Sequence, residues 1–413
     1  MGVISSLAPR SDTPQNRGMA HASTLVHNVP MPSALLAERV RRDVEVVASA
    51  GLDLPTFLTE VDASIRRVLR PVATCVATVD PTTSLLTGTY KFGDLHGRDE
   101  HDLEWGLIEY GGEESTSFLD VAATPRRVVG MHLATGGDLE RSLRLRECIR
   151  PYYGYGDELR LIACVDGRMW GALAFFRSPD DDPFSDADVE FASTLSTMLA
   201  NGFRCGLLTN AGTEAVSDHG FGPAVIIVDA ADQVSQISVG AEERLRQVIT
   251  SDHSAGPVGT IAALVATARR YAKGQVGVVP RTRLRLRDGR WVVLQASPMA
   301  SRGGVTGDVV ITIEDARPPE IVPLVVEAFG LTARERDVTQ LVLQGVETKD
   351  IASALHLSAY TVQDHLKAIF TKAGVRSRRE LMAKVFFDQY QPRFGNDIAP
   401  NGWFLPTDTH PAG

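Results

Sequence analysis

Apolar residues recur every three or four positions from Leu35 to Ala50 and again from Phe57 to Leu69, a spacing that predicts two amphipathic helices. Pro71 ends the second, because proline lacks an amide hydrogen and its ring crowds the preceding turn. The pattern then changes to strands. Val72 to Val79 and Thr83 to Phe92 are joined at Asp80-Pro81-Thr82, and Leu159 to Val165 and Trp170 to Arg177 flank an Asp166-Gly167 hairpin turn. Ser185-Asp186-Ala187-Asp188 opens a helix expected to reach about Leu208, with Ser185 as its cap and the carboxylates at its positive end.

A glycine-bearing break from Gly212 to Gly222 precedes a second segment, in which Ala224 to Val228 reads as a strand and Ala241 to Val248 and Ile261 to Tyr271 as helices. Arg281 to Arg287 alternates, Asp288-Gly289 signals a hairpin, and Trp291 to Ala296 and Asp308 to Ile313 add strands. The expected product is a small antiparallel sheet carrying helices. Arg317-Pro318-Pro319 marks a linker. Residues 1–34 lack periodicity and read as a disordered tail, with Met19 as an alternative first residue, and residues 389–413 as a flexible one.

Between Leu331 and Phe387 each of four expected helices has a chemically marked start. Thr332-Ala333-Arg334-Glu335 and Ser377-Arg378-Arg379-Glu380 are capping boxes, Thr348 caps the second helix, and Ser358 caps the third after the turn His356-Leu357-Ser358. In that third helix Val362, Leu366, Ile369, Phe370 and Ala373 share one face. Tyr360, Thr361, Asp364, Lys367 and Thr371 are left outward, with Gln363 at the edge and His365 nearer the core. The whole chain carries a net charge of −9, so any attraction to a polyanion must be local. Such a locality exists: from Ser358 to Val385 six Lys and Arg stand against Asp364 and Glu380.

The run Leu-Thr-Ala-Arg-Glu-Arg-Asp-Val from Leu331, with Gly345, Lys349-Asp350-Ile351-Ala352, Leu357-Ser358, Thr361-Val362, His365-Leu366, Ile369-Phe370, Gly374-Val375 and Ser377-Arg378, resembles the LuxR-type helix-turn-helix of bacterial transcription regulators. The resemblance implies that helix 358–373 enters the major groove of double-stranded DNA with Gln363, Asp364 and Lys367 facing bases. It further implies that Lys349, Ser358, Tyr360, Thr361, Thr371, Lys372, Arg376 and Arg378 meet the backbone, and that the final helix, about 377–388, forms a homodimer. RNA polymerase is a further partner of such regulators. Gln363 suits adenine, whereas Asp364 only accepts, from cytosine for instance, and repels phosphate.

Residues 159–204 are similar to the end of a GAF domain, and residues 224–315 resemble a PAS-type unit; both imply sensing of a small-molecule effector or a partner. The expected architecture is therefore multidomain α+β. It comprises a GAF-like α/β sensory domain at 35–209, a small PAS-like antiparallel sheet domain at 222–316, a linker at 317–330 and an all-α four-helix domain at 331–388. His132, Cys148, Tyr152 and Tyr153 are candidates to line an effector pocket.

Composition narrows the chemistry. At 413 residues, 44% hydrophobic and 23% charged, the chain is long enough for several packed cores. It has no run of 18 apolar residues and no basic-then-apolar opening, so a cytoplasmic location without membrane contact is expected, the short myristoylation-like match Met1-Gly2-Val3-Ile4-Ser5-Ser6 notwithstanding. Cys75, Cys148, Cys164 and Cys205 form no Cys-x-x-Cys pair and read as buried thiols. The acids and histidines from Asp94 to Glu104 read as capping and solvated charge, with no metal assigned, and Arg281, Arg283, Arg285 and Arg287 as an exposed sheet face. Neither a P-loop nor a Gly-x-Ser-x-Gly elbow occurs, and no lysine follows a late parallel strand as phosphorelay input requires. No catalytic residue or cofactor is assigned. The competing reading is a ligand-binding or enzymatic GAF-domain protein whose C-terminal helices serve as a docking module.

Overall fold

The computed structural model describes residues 34–209, 224–248, 251–287, 289–301 and 304–387. The expected tails before residue 34 and after 388, the break at 212–222 and Asp288 lie outside the described residues.

The first segment opens with α1 (Ala34–Ser49) and α2 (Leu54–Leu69). Asp53 caps α2 by accepting the Thr56 amide hydrogen at 3.0 Å, and Arg70 ends it in the left-handed region. There follow β1 (Ala73–Val79), β2 (Leu86–Gly93), α3 (Asp102–Gly111), α4 (Phe118–Ala122), β3 (Val128–Gly130), α5 (Met131–Thr135) and a π-helical segment, Leu145–Tyr153. Next come β4 (Asp157–Val165), β5 (Arg168–Arg177), α6 (Asp186–Ser193) and α7 (Ser196–Leu208). The strands pair antiparallel in the order β2-β1-β5-β4-β3. Alternation sends Val76, Leu159, Leu161, Leu173 and Phe175 to the face under α1, α2 and α7, and the small side chains of Ala73, Cys75, Ala77, Ala172 and Ala174 to the other. The single helix expected from Asp186 to Leu208 is broken at Thr194 and Leu195. Its second half is anchored to β4, where Ser196 Oγ donates to the Ile162 carbonyl at 2.6 Å and accepts from the Cys164 amide at 3.3 Å.

A second antiparallel sheet contains β6 (Ala224–Val228), β7 (Val234–Ile237), β8 (Arg281–Arg285), β9 (Trp291–Ser301) and β10 (Gly304–Asp315), in the order β7-β6-β10-β9-β8. It carries α8 (Ala241–Arg246) and α9 (Val258–Ala272). Every residue of α9 from Val258 to Ala268 is buried, as a helix apolar on all sides requires. It lies between its own sheet and α3, and Gly106 permits the approach: a Cβ there would stand 2.6 Å from Ala262 Cβ. The arginine row of β8 is not an exposed face. Arg283 forms two 2.6 Å bonds to the buried Asp80 carboxylate, Arg281 pairs with Glu320, and the Arg285 guanidinium lies 5.8 Å from the Trp291 ring centre. The alternation is as expected, but the face meets Asp80 and Glu320, partners distant in sequence, so it is covered.

The stretch read as a linker is a helix, α10 (Pro318–Ala328). Pro318 and Pro319 suit the first turn, whose amides have no intrahelical partner, and Ile321, Leu324, Val325 and Ala328 are buried at helical spacing. After it come α11 (Ala333–Leu343), α12 (Thr348–Ala354), α13 (Ala359–Ala373) and α14 (Arg378–Met382), continued by a π-helical turn, Ala383–Phe387. One apolar cluster runs from the first sheet through Leu324 and Val325 to Val338, Val362, Leu381 and Val385. Among the described residues no helix is long and apolar enough to cross a membrane.

Candidate nucleic-acid interface

The capping chemistry fixes the C-terminal helices at their starts. Thr332 and Glu335 form the expected capping box. Ser358 Oγ accepts the Thr361 amide hydrogen at 3.0 Å, so α13 begins where the sequence predicts, and His356 takes the left-handed conformation (φ 55°) that turns the chain out of α12. Gly374, at φ 64°, ends α13. Two starts differ from expectation. Glu347, not Thr348, precedes α12, and the Thr348 hydroxyl instead accepts from Arg378 Nη2 at 2.9 Å. Ser377 caps α14 by accepting the Glu380 amide hydrogen, but the Glu380 carboxylate accepts from the Arg376 amide at 2.8 Å, so the second box is half made.

Val362, Leu366, Ile369 and Ala373 anchor α13 against α11 and α12. Gln363, Asp364, Lys367 and Thr371 are exposed, Thr361 and His365 half-buried, and Tyr360 is 76% exposed at the start of the helix. Residues 360, 363, 364, 367 and 371 thus form an uncovered polar ridge of one helix, 15 residues long. Lys367 Nζ stands 3.4 Å from Asp364 Oδ1, a surface pair whose attraction is weak in water. Ser358, Lys349 and Arg376 are exposed as well.

Two of the expected backbone contacts are already engaged. Arg378 Nη1 donates to the Val346 carbonyl at 2.8 Å in addition to its bond to Thr348, and Lys372 Nζ lies 2.6 Å from Glu335 Oε2. Their first role is to bind α14 to the entrance of α12 and α13 to the start of α11. Burial alone would raise the Glu335 pKa, but the bonds from Lys372 and Thr332 outweigh it and hold the carboxyl below its ordinary range. The last helical turn packs on α10, with Leu381 and Val385 buried, and α10 in turn packs on α7. Arg204 Nε donates to the Ala328 carbonyl at 3.3 Å, and Arg168 Nε lies 2.5 Å from Glu327 Oε1.

In the first segment the four pocket candidates differ in exposure. Cys148 is fully buried and its thiol is raised by burial, Tyr153 is 7% exposed, and Tyr152 stacks on His101 at the surface with ring centres 3.6 Å apart. His132 stands on α5, its amide hydrogen bonded to Asp157. The acids near Glu104 are not all solvated: Asp102 is 5% exposed and lies 2.5 Å from Lys91 Nζ, itself 2% exposed. That pair and a larger buried network join residues far apart in the sequence, where no local pattern announces the pairing. Arg144 lies 2.7 Å from Glu158 and within 3.7 Å of Glu109 and Glu114, while Arg160 lies 2.8 Å from Glu109 and packs over the Phe118 ring. Two charged residues on one face of a largely apolar strand, Glu158 and Arg160 of β4, are the signal the sequence offers.

A short helix followed after a tight turn by a longer helix with an open polar ridge defines a helix-turn-helix module. Residues 330–385 match the family model for bacterial regulatory proteins of the luxR family. Over 55 residues the chain is 40% identical to the spore germination protein GerE of Bacillus subtilis, covering 13% of this chain and 74% of that protein. The chain belongs to the luxR family of bacterial regulatory proteins. It is 48% identical over 53 residues to an HTH-type transcriptional regulator of Mycobacterium bovis, 13% of this chain but 6% of the relative, so it spans a small fraction of the mycobacterial proteins it matches. The GAF domain of an Acinetobacter phosphoenolpyruvate-protein phosphotransferase aligns with 42% of this chain and 94% of its own at 14% identity, with a TM-score of 0.25.

Proposed function

We propose that this chain is a sequence-specific DNA-binding transcriptional regulator in which α13 lies in the major groove of duplex DNA. The uncovered ridge of α13 carries the proposal: Gln363, Asp364 and Lys367 are exposed together on a helix whose opposite face is locked into the core. Lys349, Ser358, Tyr360, Thr361, Thr371 and Arg376 flank the ridge as phosphate contacts. Lys372 and Arg378 join them by orienting the module, and each keeps a cationic group near its rim.

On this reading residues 35–209 and 222–316 are the sensory domains and 331–388 the output domain. The protein works in the cytoplasm as a homodimer on paired half-sites, responds to a small-molecule effector and engages RNA polymerase; no catalytic step is assigned to it. An effector shifts the output only by binding one arrangement of α10 and the output domain better than another. Fluorescence anisotropy of the full chain on selected duplex DNA tests the reading. Lys367→Ala is expected to weaken binding to the selected duplex by about 1–3 kcal/mol more than binding to unrelated duplex. Unaltered affinity for the selected duplex would overturn the assignment of the ridge.

A further inference from the structure

The last carbonyls of a helix have no donor within it and must be met from elsewhere. At the end of α13 the chain that follows meets two of them. The Val375 amide donates to the Phe370 carbonyl at 2.9 Å, and the Gly374 amide to the Thr371 carbonyl at 3.2 Å. The Ala373 carbonyl, at the end of the helix, is met from 11 positions away, where Lys384 Nζ donates to it at 2.8 Å. Among the described residues no carboxylate pairs with Lys384, so its whole charge stands at the negative end of α13.

A lysine stem is flexible, so it fixes a partner only where its own backbone is fixed. Here it is. Lys384 lies in the π-helical turn Ala383–Phe387, Leu381 and Val385 beside it are fully buried, and the turn packs on α10. The end of α13 is thus tied twice: to α11 by Lys372, which it sends to Glu335, and to the last turn by Lys384, which it receives. The six basic residues between Ser358 and Val385 divide accordingly. Lys372, Arg378 and Lys384 hold helices together, whereas Lys367, Arg376 and Arg379 are exposed.

On the proposed DNA-binding reading, on which this rests, we infer that Lys384 is a positioning residue for base reading. It touches no DNA, and its bond to the Ala373 carbonyl sets the seat of α13 from which Gln363, Asp364 and Lys367 meet base edges. The contacts of Val362, Leu366 and Ile369 decide which face of α13 turns inward, but apolar contact is non-directional and leaves sliding along the axis weakly opposed. A directional, charge-assisted bond at the end of the helix opposes it. Side chains that read a partner must be held to within about 0.5 Å, and α13 is one rod of 15 residues, so a shift at its end reaches the ridge. Because the turn that carries Lys384 rests on α10, the same bond ties that seat to the sensory part of the chain.

The test compares the full chain with Lys384→Met, which keeps the apolar stem, and Lys384→Arg, which keeps a cationic donor. Each is titrated with the duplex enriched from a random library and with an unrelated duplex of equal length. Lys384→Met is expected to lower the ratio of the two affinities about tenfold with the salt slope on both duplexes unchanged, and Lys384→Arg to stay within about threefold of the parent. Without DNA, hydrogen exchange at the amides of residues 370–375 is expected to quicken about tenfold in Lys384→Met alone. If Lys384→Met does not fold, Lys384→Gln, an uncharged donor, decides by the same ratio, with a loss of about threefold expected. A loss equal on both duplexes, with a salt slope lower by about one, would make Lys384 a phosphate contact and overturn its positioning role. So would an unchanged ratio, with or without a lower melting temperature, unchanged exchange at the end of α13, or an arginine variant as impaired as the methionine one. A parent that does not tell the two duplexes apart overturns the DNA-binding reading and the role of Lys384 with it. A parent that does, beside variants with an unchanged ratio, overturns the role of Lys384 alone.

Discussion

Lys372 Nζ lies 2.6 Å from Glu335 Oε2, and the same carboxylate oxygen accepts the Thr332 amide hydrogen at 2.7 Å. One buried carboxylate thus caps α11 and ties the end of α13 to the start of α11. Glu335→Gln should lower the stability of the C-terminal module by about 1–3 kcal/mol, measured as a shift in its unfolding midpoint. A glutamine as stable as the parent would remove Glu335 from this role.

The pH dependence has a fixed sign. The folded Glu335 carboxyl is held below its ordinary range, so its contribution is complete above the unfolded pKa and is lost as pH falls through the lower folded value. The stability gap between parent and Glu335→Gln is therefore expected to be constant near neutrality and to close on acidification below about pH 4. A gap that widens on acidification would contradict the pairing.

Positioning and contact separate at Arg378 and Lys349. Arg378→Ala should lower the melting temperature, because the Val346 carbonyl and Thr348 hydroxyl lose a charged donor worth about 1.5–3 kcal/mol in total or more. Exposed Lys349→Ala should leave stability within about 0.5 kcal/mol and weaken DNA binding alike on all sequences. Equal melting of the two variants would place Arg378 among simple phosphate contacts.

What the residues announced in advance is uneven for a physical reason. Helix starts at Ser185, Thr332 and Ser358 are local chemistry, a side chain meeting an amide three positions on, and they stand where expected. The Asp166-Gly167 hairpin is equally local: both residues adopt positive φ, 53° and 73°. The polar ridge of α13 follows from helical period alone. Long-range partnerships were hidden. Arg283 of β8 finds Asp80 of the first segment 203 positions away, and Arg144 finds Glu109, Glu114 and Glu158 only after folding. Thr348 and Glu380 carry the right cap chemistry but are drawn to other partners, Arg378 and the Arg376 amide.

The buried network yields a prediction of larger size. Arg144→Met removes the cation shared by Glu109, Glu114 and Glu158, and it takes from the Glu114 carboxyl the charge that, with its hydrogen bonds, holds it down at about 2 against the burial that raises it. The expected cost is about 3–5 kcal/mol in urea unfolding of the full chain. A loss below about 1 kcal/mol would mean that the network contributes little to holding the first segment together.

Specificity at the ridge is separable from affinity. Gln363→Ala should relax base preference at one position of each half-site by about 1–3 kcal/mol, read from binding to a panel of single-base variants. A uniform loss over the panel would make Gln363 a backbone contact.

The central claim is that the exposed ridge of α13 reads duplex sequence. Selection of bound duplexes from a random library by the full chain, run beside a Gln363→Ala, Lys367→Ala double variant, tests it most directly. The account predicts enrichment of a motif present as two half-sites about one helical turn apart or a multiple of it, with enrichment lost in the variant. No motif above background, or the same motif recovered by the variant, would contradict it.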